Sequence, residues 1–357
     1  MMQLEYGTEL TVGFITDRVK QFESEHTDLH RRMDDDQAIY DLKSYNANED
    51  GTNTFPSYTS NAPRVYAKRV ITMVAGADLF VRIPYGEEDR ETRDKYDIKE
   101  RVFYGFLDAA DERLKRRLEM RAETQMAWSA AIRGYVCVRA LLVKDEQGGV
   151  YVDVTPLDPR TAAWGVGYDG LDWAAYTTWR TAEEINSFYG IHLGGPATSL
   201  HQVIDYYDRT NNAVVVKGHG FVKPPKVHGA VGVPIVIVPV GPSPVVQPPN
   251  SQYMTAGYGE SIFAENRAVY KQRNAILSIY LALVKKARDR SYILYSPDGG
   301  ATLQDNPNEA AGVISQPSTN KLELVDLAET TKDSAILAGF VTEEMHFGSL
   351  SKTSYGD

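Results

Sequence analysis

Two glycines flank Tyr258 ahead of a helical pattern, and Gly257-Tyr258-Gly259 has the look of a phosphate loop, because backbone N–H groups at a helix start can hold an anion. The third glycine of such a loop is missing, and the preceding residues are rich in proline instead of ending a strand. A hinge leading into the helix is the reading left. Asp34, Asp35 and Asp36 supply the carboxylates a magnesium ion needs, yet consecutive helical side chains point about 100° apart and do not converge on one ion. They read as a solvated helix face. Asp205 and Asp208, beside Tyr206 and Tyr207, offer half of a metal-dependent phosphodiesterase site, without a His or Lys constellation to complete it. His219 and His228 lie in a glycine-rich stretch without metalloprotease spacing, and the sequence has neither a Gly-x-Ser-x-Gly elbow nor a Walker-type loop. No catalytic residue, metal or cofactor is expected.

Cys137, the single cysteine, sits in the apolar run YVCVRALLV and reads as a small buried hydrophobe in a strand. It has no partner for an internal disulfide, which fits a reducing compartment. The opening residues MMQLEYGTEL lack the basic head and apolar body of a secretory signal, and no apolar run reaches transmembrane length, so a soluble protein without membrane insertion is expected. A formal charge of −10 argues against a broad phosphate-gripping surface but permits passing contact with DNA. At 357 residues, two or more cooperating units are expected.

Helical spacing covers residues 9 to 45, a short helix is predicted over PRVYAKRVITMVAG, and ADLFVRIPYG alternates as a strand does. The longest helical pattern runs from 98 to 133, with Phe103, Leu107, Ala110, Leu114, Leu118, Ala122 and Met126 on one stripe. A meander of strands follows: GYVCVRALLV, VYVDVTPL, LDWAAYTTWR, HQVIDYYD and AVVVKG, interrupted by the helix TAEEINSFYG with its Thr cap and terminal Gly190. PIVIVPV then leads into GPSPVVQPPN, a rigid connector by its proline density. The fold class is α+β.

Beyond the connector a helix is predicted from about Tyr258 to about Arg290, on the order of 50 Å long. Between Ala275 and Val284 only Ser278 and Tyr280 carry a polar side-chain atom, so the helix is apolar nearly all round. Either this chain folds about it, or other copies do: equivalent helices standing side by side in a closed ring would cover both flanks. Two short strands, SYILYSPDGG and KLELVDL, precede a second helix from about Leu327 to Phe347. There Asp326, Glu329, Asp333 and Glu344 fall within about 60° of one another at 100° per residue, an acidic strip that Leu337 and Phe340 intrude upon. An ordinary solvated helix is the alternative.

The order LHRRMDDDQAIYDLKSY, AAIRGYVCVRALLV, VTPLDPRTAAWGVG, TTWRTAEEINSFYG, PIVIVPVG and GYGESIFAENRAVYKQRN resembles tailed-bacteriophage portal proteins, the head-to-tail connectors, over most of the chain. The resemblance implies a portal-like subunit of a non-enzymatic, dodecameric ring at the unique capsid vertex of the virion, assembled in the host cytoplasm. Double-stranded DNA would pass through it transiently and without sequence preference during packaging and ejection. Major capsid and scaffolding proteins, a terminase, and then tail or adaptor proteins would be its partners. Carried onto this sequence, it implies a wing over residues 1–250, a first stem helix over 258–290, a clip over 291–326, a second stem helix over 327–347, and the start of a tunnel loop over 348–357 with no crown following. Ile276, Leu277, Tyr280, Leu281 and Val284 would lie between subunits. Lys285, Lys286, Arg288 and Arg290 would mark the turn into the clip, and Asp326, Glu329, Asp333 and Glu344 would line the DNA tunnel. A smaller head-to-tail adaptor or capsid-associated protein is the neighbouring possibility, and the phosphodiesterase built on Asp205 and Asp208 the enzymatic one.

Overall fold

The computed structural model describes residues 10–47, 56–77, 83, 90–144, 149–241, 258–288, 292–295, 321–324 and 328–347. All of the expected strand ADLFVRIPYG but Ala77 and Ile83, and most of GPSPVVQPPN, lie outside them. The chain divides into two compact units, one of residues 1–37 and 67–262, the other of 38–66 and 263–357.

Helices α1 (Val12–Glu25), α2 (Thr27–Tyr40), α3 (Ala62–Ala75), α4 (Arg90–Arg116) and α5 (Ala122–Trp128) precede two antiparallel sheets. Strands β1 (Tyr135–Lys144), β2 (Val150–Leu157) and β8 (Ile235–Pro239) form the smaller sheet in the order β2-β1-β8. Strands β3 (Ala162–Gly167), β4 (Gly170–Thr181), β5 (Leu200–Asp208), β6 (Asn211–Val216) and β7 (Gly220–Val227) form a five-stranded meander. Helix α6 (Ala182–Tyr189) starts with the sequence-predicted cap: Glu184 N–H donates to Thr181 Oγ1 at 3.2 Å, and Thr181 N–H donates to the Glu184 carboxylate at 2.8 Å. Gly190, in the left-handed region, ends it.

The alternation of side chains places Ile204 and Tyr206 of β5, with Ala213 and Val215 of β6, on the face that packs against Ile15, Val19 and Phe22 of α1. The opposite face sets Val203, Val214 and Val216 against Ile185 of α6. It also sets Ala174 and Tyr207 against Cys137, Leu157 and Ile235 of the smaller sheet. This unit therefore has three layers, with two sheets where the sequence reading had one. Cys137 is buried as expected, and burial pushes its thiol up to about 12, leaving it inert.

The single helix expected over 98 to 133 is broken. At the end of α4, Leu118 adopts φ 60°; its N–H donates to the Lys115 carbonyl at 2.9 Å, and that of Glu119 donates to the Leu114 carbonyl at 3.0 Å. This is the paired closing bond pattern normally made with glycine at the left-handed position. Leu118 thus projects into solvent instead of joining the stripe. The Asp111 carboxylate restarts the chain, accepting from Ala122 N–H and Arg121 Nε, both at 2.8 Å. After α5 a π-helical turn, Ser129–Arg133, ends at Gly134.

The three aspartates of α2 are not a plain solvated face. Asp36 is buried and accepts from Ser261 Oγ at 2.7 Å, while Asp34 receives both Arg160 Nε (2.8 Å) and an Arg160 terminal nitrogen (3.0 Å). Close to them, His30 is buried with no hydrogen-bond partner for Nε2. Burial, reinforced by Arg160 and His26 and partly opposed by Asp34, pulls its imidazole from 6.5 down to about 4. Between those pH values the unfolded chain binds a proton that the folded one excludes, so stability is full above about pH 6.5 and falls on acidification toward pH 4. We expect the protein to lose about 2 kcal/mol more than a His30→Leu variant between pH 7 and pH 4.5. Urea denaturation at both pH values measures this, and equal losses in the two proteins refute it.

Candidate subunit-assembly surface

The second unit is built on α7 (Arg267–Arg288) and α8 (Ala328–Phe347), which pack together, and on the short antiparallel pair β9 (Tyr292–Tyr295) and β10 (Lys321–Leu324). Helix α7 starts at Arg267, later than the expected Tyr258. Residues 262–266 are turns, held by Asn266 N–H donating to the Phe263 carbonyl at 3.0 Å. At 22 residues α7 is about 33 Å long.

The covered side of α7 is the polar one. Ser278 is fully buried, Tyr270 and Ala282 are buried with it, and Asn266, in the turn just before the helix, is buried as well. Asn266 Nδ2 donates to the Met345 carbonyl of α8 at 3.0 Å. Residues 56–60 lie along the next turns: Ser60 N–H donates to Asn274 Oδ1 at 3.0 Å, and Tyr58 N–H donates to Ser278 Oγ at 2.9 Å. Ser278 in turn donates to the Asn274 carbonyl at 2.7 Å, and Arg273 reaches Ser60 Oγ. These bonds satisfy side chains whose burial would otherwise be unfavourable.

In the carboxyl-terminal half the outward residues from Ile276 to Val284 are apolar, while Lys271, Gln272 and Lys285 are exposed at either end. Ile279 is 52% exposed, Leu281 39% and Val284 41%, while Ile276, Leu277 and Tyr280 are half-buried. At 100° per residue, Ile279 lies about 80° to one side of the Ser278–Ala282 row, and Leu281 and Val284 lie about 80° or more to the other. Helix α8 likewise exposes Ile336, Leu337 and Phe340. A helix that hydrogen-bonds its polar row to its own chain and turns its apolar residues outward on two flanks is inverted relative to a surface helix.

Among the residues expected to line a tunnel, Asp326 lies outside the described residues. Glu329, Asp333 and Glu344 fall in α8. Of the basic group, Lys285 is exposed near the end of α7, Lys286 and Arg288 lie in that last turn, and Arg290 lies outside the described residues.

Asp205 and Asp208 are not brought together as a metal pair. They stand three apart on β5 and so point to opposite faces. Asp208 closes the β5–β6 turn, accepting from Thr210 N–H at 2.7 Å and Asn211 N–H at 2.6 Å. Asp205 joins the two sheets: Arg139 of β1 donates to it at 3.2 Å and to Asp153 at 3.0 Å, and Asn212 Nδ2 donates to it at 2.8 Å. Burial pushes the Asp205 carboxyl up and the Arg139 cation opposes that shift. The sequence reading missed this network, although Arg139, the lone cation inside an apolar strand, was its signal. Among the described residues no three His, Cys, Asp or Glu side chains converge to hold a metal ion. Likewise, no helix there is long and apolar enough to cross a membrane.

Fold and surface together define an α+β chain with a three-layered unit and, in the second unit, the inverted helix α7 packed with α8. Three solved structures are similar to it. One is described as the neck of a native gene transfer agent particle computed with C12 symmetry, at 14% identity and TM-score 0.39 over 84% of this chain and 69% of that one. Another is the neck of an empty particle computed with C6 symmetry, at 16% identity and TM-score 0.40 over 84% and 70%. The third is the virion of a native particle, at 14% identity and TM-score 0.39 over 84% and 69%. No protein-family model and no curated protein matches the chain.

Proposed function

We propose that this chain is the subunit of a portal ring of a tailed bacteriophage, a non-enzymatic conduit for double-stranded DNA during packaging and ejection. The inverted helix α7 carries this reading. Its polar row is already hydrogen-bonded within the subunit, so the apolar flanks are left for other chains, and neighbours on both flanks are what a closed ring supplies. The ring is a dodecamer at one capsid vertex, formed in the host cytoplasm and retained in the virion. Major capsid and scaffolding proteins surround it, and a terminase and later tail or adaptor proteins dock at the segment 291–326.

In this reading residues 1–250 form the wing, and α7 and α8 belong to the stem, with Lys285, Lys286, Arg288 and Arg290 at the turn into the clip. Asp326, Glu329, Asp333 and Glu344 face the duplex. DNA carries one negative charge per about 1.7 Å of axis, so a basic lining would hold it by counterion release, whereas carboxylates let it slide.

Negative-stain images of the purified protein test the ring directly, the expected particle being annular with a central hole. Leu281→Asp and Ile276→Asp are expected to abolish assembly, because each buries a charge between subunits. Sedimentation velocity should then show a lone subunit. Intact rings with both variants would refute the assignment of α7 to the subunit interface.

A further inference from the structure

Two imidazoles meet at one end of the five-stranded sheet. His201 stands near the start of β5 and His219 in the turn between β6 and β7, and the register that pairs Val203 with Val216 brings both to the same end. Their ring centroids lie 5.1 Å apart, with the rings inclined at 74°. The backbone places His219: its N–H donates to the Val216 carbonyl at 3.0 Å, and the glycines on either side, Gly218 (φ 85°) and Gly220 (φ 96°), take the positive φ values that close so tight a turn. His219 is exposed to solvent and His201 is half-buried, so an ion can reach the pair from outside.

The hydrogen bonds around His201 fix its tautomer. Ser199 is anchored at the start of α6, its N–H donating to the Pro196 carbonyl at 2.9 Å and its carbonyl accepting from Ala182 N–H at 3.0 Å. Its hydroxyl has one proton, which goes to the Pro196 carbonyl at 2.8 Å. Toward His201 Nε2, 2.9 Å away, the hydroxyl oxygen is left as an acceptor, so in the neutral ring Nε2 carries the proton and Nδ1 presents a lone pair. An oxygen that accepts from one ring nitrogen, leaving the other to bind, is the support that metal-ligating histidines use.

We infer that His201, through Nδ1, and His219 hold one divalent transition-metal ion of the zinc and copper class, with water in its remaining positions. With metal–nitrogen bonds of about 2.0–2.1 Å and angles of about 90–110°, two imidazoles on one ion have ring centres roughly 4.5–5.3 Å apart, which brackets the spacing found here. Imidazole suits zinc, copper or nickel, whereas calcium and magnesium require oxygen. The cation paired with His201 across the strands, Arg180, is drawn onto the Phe188 ring of α6, 4.8 Å from its centroid. Its positive charge, and the want of a third His, Cys, Asp or Glu among the described residues, make this a weak clamp and not a catalytic centre. The bound ion would tie the β6–β7 turn to the start of β5 and so stabilise that end of the sheet by mass action. The inference is independent of the ring reading.

Untagged protein stripped with a chelator is titrated with zinc chloride by calorimetry, and with copper(II), the tightest binder of the divalent series, by electron paramagnetic resonance. One zinc per chain and a copper signal split by two imidazole nitrogens are expected. His219→Ala, at an exposed position, and His201→Gln, whose amide still donates to Ser199, are each expected to weaken zinc binding more than tenfold and to leave a single nitrogen in the copper signal, with circular dichroism verifying the fold. Ser199→Ala is expected to keep both nitrogens and to weaken binding about tenfold, as loss of an outer partner does. Zinc binding that both histidine variants retain overturns the inference, because the ion then sits elsewhere; so does a native protein that binds no zinc at millimolar concentration. Thermal stabilisation by inorganic phosphate and not by zinc overturns it in favour of an anion site beside Arg180. Each of these results leaves the ring reading untouched.

Discussion

Gly259→Ala lowers the stability of the protein by about 3 kcal/mol or more, the largest effect expected of any single methyl group here. A Cβ at 259 would lie 1.8 Å from the Gly134 carbonyl oxygen and 3.0 Å from the Val240 nitrogen, both backbone atoms that no rotamer change relieves. The facing position is equally closed: Gly134 has φ 71°, and a Cβ there would come within 2.7 Å of the Glu260 backbone. Around this contact Val240 N–H donates to the Gly134 carbonyl at 2.8 Å, Glu260 N–H to the Val240 carbonyl at 2.8 Å, and Ile262 N–H to the Ala131 carbonyl at 2.9 Å. The glycine therefore serves close backbone packing, neither a phosphate nor the hinge read from the sequence. Gly339→Ala, in exposed helix with nothing within 4 Å of the new methyl, is the control and is expected to stabilise by about 1 kcal/mol. Urea midpoints of the two variants decide the matter, and a Gly259→Ala protein as stable as the native one removes the packing argument.

Arg133→Met has the second large effect, a loss of about 2 to 3 kcal/mol. Arg133 is buried at the end of the π-helical turn, and its guanidinium forks onto Asp158 at 2.9 and 2.8 Å while donating to the Met33 carbonyl at 2.9 Å. Its plane also lies over Trp128, 5.2 Å from the ring centroid. One side chain thus ties α2, the π-helical turn and the turn after β2. Removing it strands the Met33 carbonyl and leaves the Asp158 carboxylate, 34% exposed, with the Arg160 N–H as its remaining donor. Asp158→Asn should be milder, because the amide still accepts one bond and still caps Arg160 N–H, now 3.0 Å away. A double-mutant cycle in chemical denaturation reads the coupling, and simple additivity of the two losses would show that the fork contributes nothing as a pair.

Some of this was legible from the sequence because the determinants are local. Thr181, Glu184 and Gly190 start and stop α6 through contacts within a few residues, and the alternation in HQVIDYYD sets β5 whatever lies beside it. The apolar decade from Ala275 to Val284 likewise announced a helix requiring partners on several sides. Tertiary structure decided the rest, because the partners are distant along the chain. Leu118 accepts a left-handed conformation once Leu114 and Ala110 are buried and Asp111 restarts the chain, so one predicted helix becomes three segments. Asp36 became a buried acceptor only when Ser261 came beside it, and Asp205 became a strut when Arg139 arrived from the other sheet. Helix α7 shows the division most plainly. Composition determined that it must be covered, but only residues 56–60, laid against Asn274 and Ser278, determined that its polar row faces inward and its aliphatic flanks outward, since hydrogen bonds between segments remote in sequence have no signature in either segment alone.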